Sequence, residues 1–212
     1  MNKEALIILP GITATPEKQA FVENYFRAHT DYDVYLPPIW QNLGIRGAAQ
    51  QLRRFMNGLD DYERVHFLCY ISGGFILRHW LWKHPFPRVG RIVNVRGPIQ
   101  EQVPRRVIEK HGRIGAFMIK GLMMFDLSAP WRNQLPFAMT PHPQGLIIEK
   151  GVAKLAAELG LKAEDFDRLR NGPEFKIPAA DETCLAAESH DEVYTSEALL
   201  GRMVSFFKTG KF

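Results

Sequence analysis

The sequence predicts an α/β fold: an α/β-type three-layer sandwich with a mostly parallel central sheet and helices on both faces. Two observations predict it. Short apolar runs alternate with segments of helical periodicity throughout the first hundred residues, and these runs are continuous, as expected of strands that are buried on both faces. The 212 residues suffice for one domain with a substantial core, and we expect a single domain over residues 1–212.

The predicted elements follow in order along the chain. ALIILP (5–10) reads as a buried strand, and Thr15-Pro16-Glu17 then begins a helix with an N-cap, a proline at the first helical position and an acid in the first turn. A later apolar run, RVHFLC (64–69), leads into a helix from about Gly73 to Trp82. The other predicted elements are strands at 32–37, 91–97 and 182–187 and helices at 45–56, 151–159, 162–169 and 196–208.

The composition argues against several classes of function. The formal net charge is +4, but no basic run interleaved with aromatic residues is present, so we expect no nucleic-acid partner. Cys69 and Cys184 have no metal-like spacing, and Cys69, which lies in an apolar strand, predicts a reduced, buried thiol; we expect no metal and no cofactor. The N-terminal apolar run is too short for a signal peptide, and no run reaches the roughly 20 residues of a membrane span. These features predict a cytoplasmic protein without a transmembrane segment.

The stretch VHFLCYISGGFILRHWL (65–81) has the outline of a nucleophile elbow, in which a strand, a tight turn and a helix present a catalytic residue. With LIILPGI (6–12), GIRGAAQQLRRFM (44–56) and SHDEVYTSEALLGRMVSFFKTGKF (189–212), it resembles the lipase-like carboxylesterases of the α/β-hydrolase superfamily. The resemblance covers most of residues 5–100 and 182–212. It implies the superfamily's fold, a catalytic serine, histidine and acid, and a small apolar or ester-like ligand.

In this resemblance, Ile71 occupies the position of the nucleophilic serine. The turn requires small residues two positions before and two positions after the nucleophile, and around Ile71 these are Cys69 and Gly73. Ser72 is the alternative nucleophile, although it would put Tyr70 where a small residue is needed. Isoleucine has no nucleophilic atom, so an acyl-enzyme cannot form on it, and its β-branched side chain is strained at the positive φ that is usual for an elbow.

The resemblance places the catalytic histidine at His190, between a short strand and the last helix. The orienting acid is expected ahead of it and stays unassigned. Asn171 stands at the loosely aligned position, and Asp165, Asp167 and Glu174 lie nearby but out of register. An amide at the acid position can hold an imidazole, but it would not stabilise the imidazolium that forms during proton transfer.

The oxyanion loop also departs from the family pattern. Pro10 stands where the family has a histidine, and it has no N–H to donate. Gly11, Ile12 and Thr13 remain as the backbone groups that could bind a developing oxyanion or a ligand, together with the N–H of Ser72.

RIGAFMIKGLMMF (113–125) lies in the region of about 100–145, where a hydrolase could carry a cap or lid. It is apolar with interspersed Arg113 and Lys120, and the alternative is an amphipathic helix packed on the sheet or on a partner. If it exposes an apolar stripe, we expect a homodimer or a contact with a membrane surface.

Three hypotheses of function follow. The first is an α/β-hydrolase-fold protein that is degenerate at its catalytic site and serves in binding or interaction. The second is an active carboxylesterase or acyl hydrolase that uses Ser72 and His190. The third is an enzyme that uses His190 as an acid–base group without a covalent step. The fold does not choose among them, because function resides in the site.

Overall fold

The computed structural model describes residues 3–12, 14–96, 102–128, 142–149, 157–160, 162 and 180–212. Its strands are β1 (Glu4–Leu9), β2 (Asp33–Tyr35), β3 (Arg64–Tyr70), β4 (Val89–Arg96), β5 (Gln144–Ile148) and β6 (Glu182–Leu185). Its helices are α1 (Pro16–His29), α2 (Gly44–Met56), α3 (Ser72–Lys83), α4 (Gln102–Lys120), α5 (Leu122–Ser128) and α6 (Glu197–Thr209), and a 3₁₀ turn covers Gln41–Leu43. The strands form one sheet in the order β2-β1-β3-β4-β5-β6, and every neighbouring pair is parallel.

Side-chain caps begin the first and last helices. The Thr15 hydroxyl accepts the N–H of Lys18 at 3.4 Å at the start of α1, and the Ser196 hydroxyl accepts the N–H of Leu199 at 3.2 Å at the start of α6. Gly210 ends α6 in the left-handed conformation, with φ of 84°. These signals are local, which explains why the predicted positions of both helices are confirmed.

Successive residues of each central strand pack against opposite layers. In β1, Ile7 faces a core shared with α2, α3 and α5, whereas Ile8 faces a second core shared with α1 and α6. β3 divides in the same way, with Phe67 in the first core and Leu68 in the second. Because both faces of a strand are covered, the strands are continuously apolar. The predicted α/β fold with helices on both faces is therefore confirmed.

The middle of the chain differs from the sequence prediction. The chain forms a five-residue strand with buried side chains, β5, that is absent from the predicted elements. The segment 113–125 is two helical pieces rather than one, because Gly121 adopts a φ of +61° between them. Gly112 breaks α4 in the same way, with a φ of +68°. The predicted helices at 151–159 and 162–169 fall mostly outside the described residues.

Parallel pairing brings the carboxyl ends of the strands to one edge of the sheet. Pro10 and Gly11 follow β1, Ile71 follows β3, and Glu149 follows β5. The segment after β6 carries His190 to the same edge, where it contacts Glu149. In open α/β sheets ligands bind at this edge. None of the helices in the described ranges is both long and apolar enough to cross a bilayer.

Candidate functional site

The turn between β3 and α3 has the most unusual backbone in the described part of the chain. Ile71 has φ of 45° and ψ of −102°, and among the described residues it is the one non-glycine residue with positive φ. Its N–H donates to the carbonyl of Val95 at 3.0 Å, and its own carbonyl accepts the N–H of Gly74 at 3.1 Å. A β-branched residue in this region costs about 1–3 kcal/mol, so the surrounding structure holds the turn against that strain.

A close approach of β1 and α3 explains how the turn is held. A Cβ added to Gly73 would overlap the carbonyl oxygen of Leu9 and lie 2.8 Å from the Leu9 Cβ. Cys69, two residues before Ile71, is completely buried. The small residues at 69 and 73 therefore flank Ile71 symmetrically, two positions on either side of it.

Ser72 is the first residue of α3 and is completely buried. Its hydroxyl donates to Oε1 of Gln41 at 2.6 Å, and Nε2 of Gln41 in turn donates to the carbonyl of Pro10 at 2.6 Å. Ser72 and Gln41 thereby tie the β3–α3 turn to the β1–α1 loop. The N–H of Ser72 lies in the first turn of α3, where backbone donors have no partner within the helix.

His190 forms an ion-pair contact with Glu149, a residue that the sequence analysis did not select. Nδ1 of His190 lies 2.9 Å from Oε2 of Glu149, whose side chain is 2% exposed. A carboxylate at Nδ1 fixes the tautomer in which Nδ1 carries the proton, and the neutral ring then presents Nε2 as a base. The pair therefore has the geometry of an oriented general base.

The environment of His190 sets its protonation. Burial of the ring, the largest influence, disfavours the imidazolium. The charge of Glu149 and its hydrogen bond act in the opposite direction, and they raise the pKa of His190 above its ordinary value of 6.5. The site therefore keeps a proton on His190 to higher pH than a solvent-exposed histidine would.

Tyr194 connects the β1–α1 loop to the end of β3. Its hydroxyl accepts the N–H of Gly11 at 2.9 Å, and its ring stacks on Tyr70 with a centroid distance of 4.0 Å. Burial, and to a smaller extent the nearby charge of Glu149, raises the pKa of both tyrosines, so both hydroxyls stay protonated. Because Tyr194 accepts the Gly11 N–H, that donor is already satisfied within the protein.

A cleft of about 870 Å³ opens beside the β1–α1 loop. Gly11 and Ile12 lie at one side of it, and the residues after β2 and the end of α4 form the other walls. The volume is within the range of about 300–1,000 Å³ that is typical of small-molecule sites. Its apolar lining includes Leu36, Trp40 and Phe117.

The structure brings together only some of the residues selected from the sequence. Ile71, Ser72 and Gly11 lie at the carboxyl edge of the sheet, where Ile12 lines the cleft and His190 contacts Glu149. The other selected residues, Thr13, Asp165, Asp167, Asn171 and Glu174, lie outside the described residues. Within the described ranges, no cluster of three or more His, Cys, Asp or Glu side chains could hold a metal ion.

Glu149 could have been found from a local signal. It immediately follows QGLII (144–148), a short apolar run that begins after His-Pro and is typical of a buried parallel strand. A carboxylate at the end of such a strand lies at the ligand-binding edge of the sheet. No comparable local signal indicates Tyr194, because its partner Gly11 is 183 residues away in sequence.

The sheet and its helices match solved structures that have the α/β-hydrolase fold. No protein-family model and no curated protein matches the sequence. Solved structures do match. They include a lipase from Bacillus licheniformis in mature form, with a TM-score of 0.68, 12% identity, and coverage of 100% of this chain and 93% of that one.

Two further similar structures are an α/β hydrolase and an esterase. The first, from the metagenome of lagoon sediments at Mar Chica, Morocco, has a TM-score of 0.61 and 20% identity and covers 100% of this chain and 93% of that one. The second, from Exiguobacterium antarcticum, has a TM-score of 0.60 and 10% identity, and the match covers 98% of this chain and 92% of that one. Identities this low establish a shared fold, and the chemistry has to be argued from the site.

Proposed function

We propose that this protein has the frame of a serine hydrolase but binds a small apolar or ester-like ligand without forming an acyl-enzyme. The observation that supports the proposal is the backbone of Ile71, whose φ of 45° is the conformation expected of a residue at the apex of a nucleophile elbow. The side chain at that apex has no atom that can attack a carbonyl. The role is therefore one of binding or interaction.

The surroundings of Ser72 support the same conclusion. A nucleophilic hydroxyl needs a base within hydrogen-bond reach, whereas the Ser72 hydroxyl is buried and donates to the Gln41 amide. To act as a nucleophile, it would have to leave Gln41 and with it the link to Pro10. The interactions of Ser72 fit a structural role at the start of α3.

The cleft beside Gly11 and Ile12 is the proposed ligand site. Trp40, Leu43 and Phe117 contribute apolar side chains to it, while the loop after β1 contributes backbone groups. A ligand with an apolar body would match this arrangement.

The His190–Glu149 pair favours a second candidate, a non-covalent acid–base enzyme. Burial of a carboxylate is costly unless it is paired, and Glu149 pairs with His190 through only one of its oxygens. Its other oxygen, Oε1, is buried and receives no hydrogen bond from the described residues. A pair of this kind can take a proton at Nε2 of His190 from a bound molecule without any nucleophile.

Fluorophosphonate labelling followed by intact-mass analysis and peptide mapping tests the proposal. We expect no adduct on the wild type. We expect Ile71→Ser to acquire one at position 71, because the backbone there already has the required conformation and His190 is oriented by Glu149. Addition of His190→Ala to Ile71→Ser should abolish the labelling, and Ser72→Ala added to Ile71→Ser should leave it in place.

The outcomes separate the candidate functions. An adduct on Ser72 of the wild type, with ester hydrolysis lost in Ser72→Ala, would replace the proposal with an active esterase. The acid–base enzyme would be supported by a different set of results. The protein would hydrolyse p-nitrophenyl acetate without forming an adduct, and this activity would persist in Ser72→Ala but be lost in His190→Ala. Absence of labelling in a folded Ile71→Ser variant would show that position 71 is not the apex of a working elbow.

A further inference from the structure

Most of the large apolar side chains that are exposed in the described part of the chain lie on one surface. Two helical residues project furthest, Ile114 at 80% exposure and Met118 at 82%. Because they are four positions apart, they share one face of the second half of α4. We call this surface the apolar rim; it consists of Trp40, Leu43, Ile114, Phe117, Met118 and Ile119.

The rim is built on a helix whose inner face is fixed. Ala116 is completely buried and packs in a cluster with Val107 and Met124. At the end of the helix, Gly121 lies so close to the backbone of Asn42 that a Cβ there would overlap it. The outward direction of Ile114 and Met118 is thus a consequence of how the helix is packed. An apolar patch presented in this way marks an interaction site in a protein of ordinary composition.

The charges that α4 carries on both sides of the break at Gly112 select the kind of partner. Over residues 102–120 the sequence has five cationic side chains and one acidic one, Glu109, which pairs with Arg106 at 3.1 Å. The cationic residues are Arg105, Arg106, Lys110, Arg113 and Lys120. A second copy of the chain would bring two such basic segments together, whereas a negatively charged surface would neutralise them.

We propose that the apolar rim docks this protein onto an anionic lipid surface. An amphipathic helix with apolar side chains on one face and Lys or Arg beside them lies in the plane of a membrane interface, with the apolar face among the acyl chains. Ile114 and Met118 would enter the bilayer, and the basic residues would lie at the level of the lipid phosphates. The inference does not depend on whether the site at Ile71 is reactive.

Docking in this orientation also places the cleft. Trp40, Leu43, Phe117, Met118 and Ile119 belong to the rim and also line the cleft. The mouth of the cleft would therefore face the lipid, and an apolar molecule could enter it from the bilayer without crossing water.

Vesicle flotation tests the proposal with the full chain. Vesicles of phosphatidylcholine with about a third phosphatidylserine are compared with vesicles of phosphatidylcholine alone, because the anionic component should supply much of the attraction. We expect the wild type to float with the anionic vesicles. Ile114→Ser/Met118→Ser should weaken this binding by about tenfold or more, since both side chains lose their apolar burial in lipid. Arg105→Gln/Lys110→Gln should weaken it by a similar factor.

Leu185→Ser is the matched control, because Leu185 is an apolar side chain with 55% exposure on β6, away from α4. It should bind the vesicles like the wild type, and circular dichroism should show that all variants are folded. Failure of the wild type to float, or equal binding to both vesicle types, would overturn the proposal. If the wild type does not bind vesicles but forms a dimer in light scattering, and Ile114→Ser/Met118→Ser is a monomer, the rim would instead be the interface with a second copy of the chain.

Discussion

Gly73→Ala is the substitution that most directly tests the geometry of the β3–α3 turn. An added Cβ would overlap the backbone oxygen of Leu9, which cannot move aside as a flexible side chain could. It would also lie 2.8 Å from the Cβ of Leu9, so β1 and α3 would have to separate by about 1 Å to restore an ordinary carbon–carbon contact.

The cost of that separation can be worked from the residues that α3 buries. Its largest buried apolar side chains are Phe75, Ile76, Leu77 and Trp80, each with 3% exposure or less. At about 2 kcal/mol for each, their burial contributes roughly 8 kcal/mol, and a gap of about 1 Å forfeits up to half of the contact energy. The higher helix propensity of alanine returns about 1 kcal/mol. We therefore expect the free energy of unfolding to fall by about 3 kcal/mol.

Urea unfolding followed by tryptophan fluorescence and circular dichroism measures this change. Gly74→Ala is the matched control, because the neighbouring glycine lies in the same helix and its added Cβ would meet a side-chain atom, Oδ1 of Asn94, at 3.0 Å. We expect this control to remain within about 1 kcal/mol of the wild type. If Gly73→Ala is as stable as Gly74→Ala, β1 and α3 do not approach as closely as described and do not hold Ile71 in its strained conformation.

Two further substitutions test the pair and the β1–α1 loop. Glu149→Gln should lower the pKa of His190, because the charge of Glu149 is the largest of the influences that oppose burial of the ring; an NMR titration of the imidazole in which the pKa is unchanged would contradict this. In the wild type, the His190–Glu149 pair contributes fully to the free energy of unfolding below a pH of about 6.5, the pKa of a histidine in the unfolded chain. This contribution is lost as the pH rises through the higher pKa that His190 has in the folded protein. Tyr194→Phe removes the acceptor of the Gly11 N–H and should cost about 1–3 kcal/mol in urea unfolding. Tyr70→Phe is the control, because the Tyr70 hydroxyl makes one longer hydrogen bond, to the carbonyl of Val193 at 3.5 Å. Its loss should lower the free energy of unfolding by less.

Local sequence signals were sufficient to predict most of the fold. The strand ALIILP and the cap at Thr15 lie where they were predicted, because continuous apolar runs and capping residues act within a few residues of the chain. The predicted strand at 32–37 is shorter, covering Asp33–Tyr35. The match of Cys69 and Gly73 to the spacing of a tight turn agrees with the observed conformation of Ile71.

The partners within the site could not be predicted as well. Glu149 was missed because its strand, β5, lies in the part of the chain for which no resemblance was found, and its three consecutive aliphatic residues give a weak pattern. The distances in sequence are also large: His190 is 41 residues from Glu149, and Gln41 is 31 residues from Ser72. Such pairs form only when the sheet aligns the ends of its strands.

The conformation of Ile71 has a consequence for how this fold could change over time. The bend is produced by its neighbours, through the hydrogen bonds to Val95 and Gly74 and the tight contact of Gly73 with Leu9. The side chain at the apex takes no part in these interactions and must tolerate the bend. Its identity can therefore be exchanged while the scaffold persists, so that reactivity could be lost or acquired at one position without a new architecture.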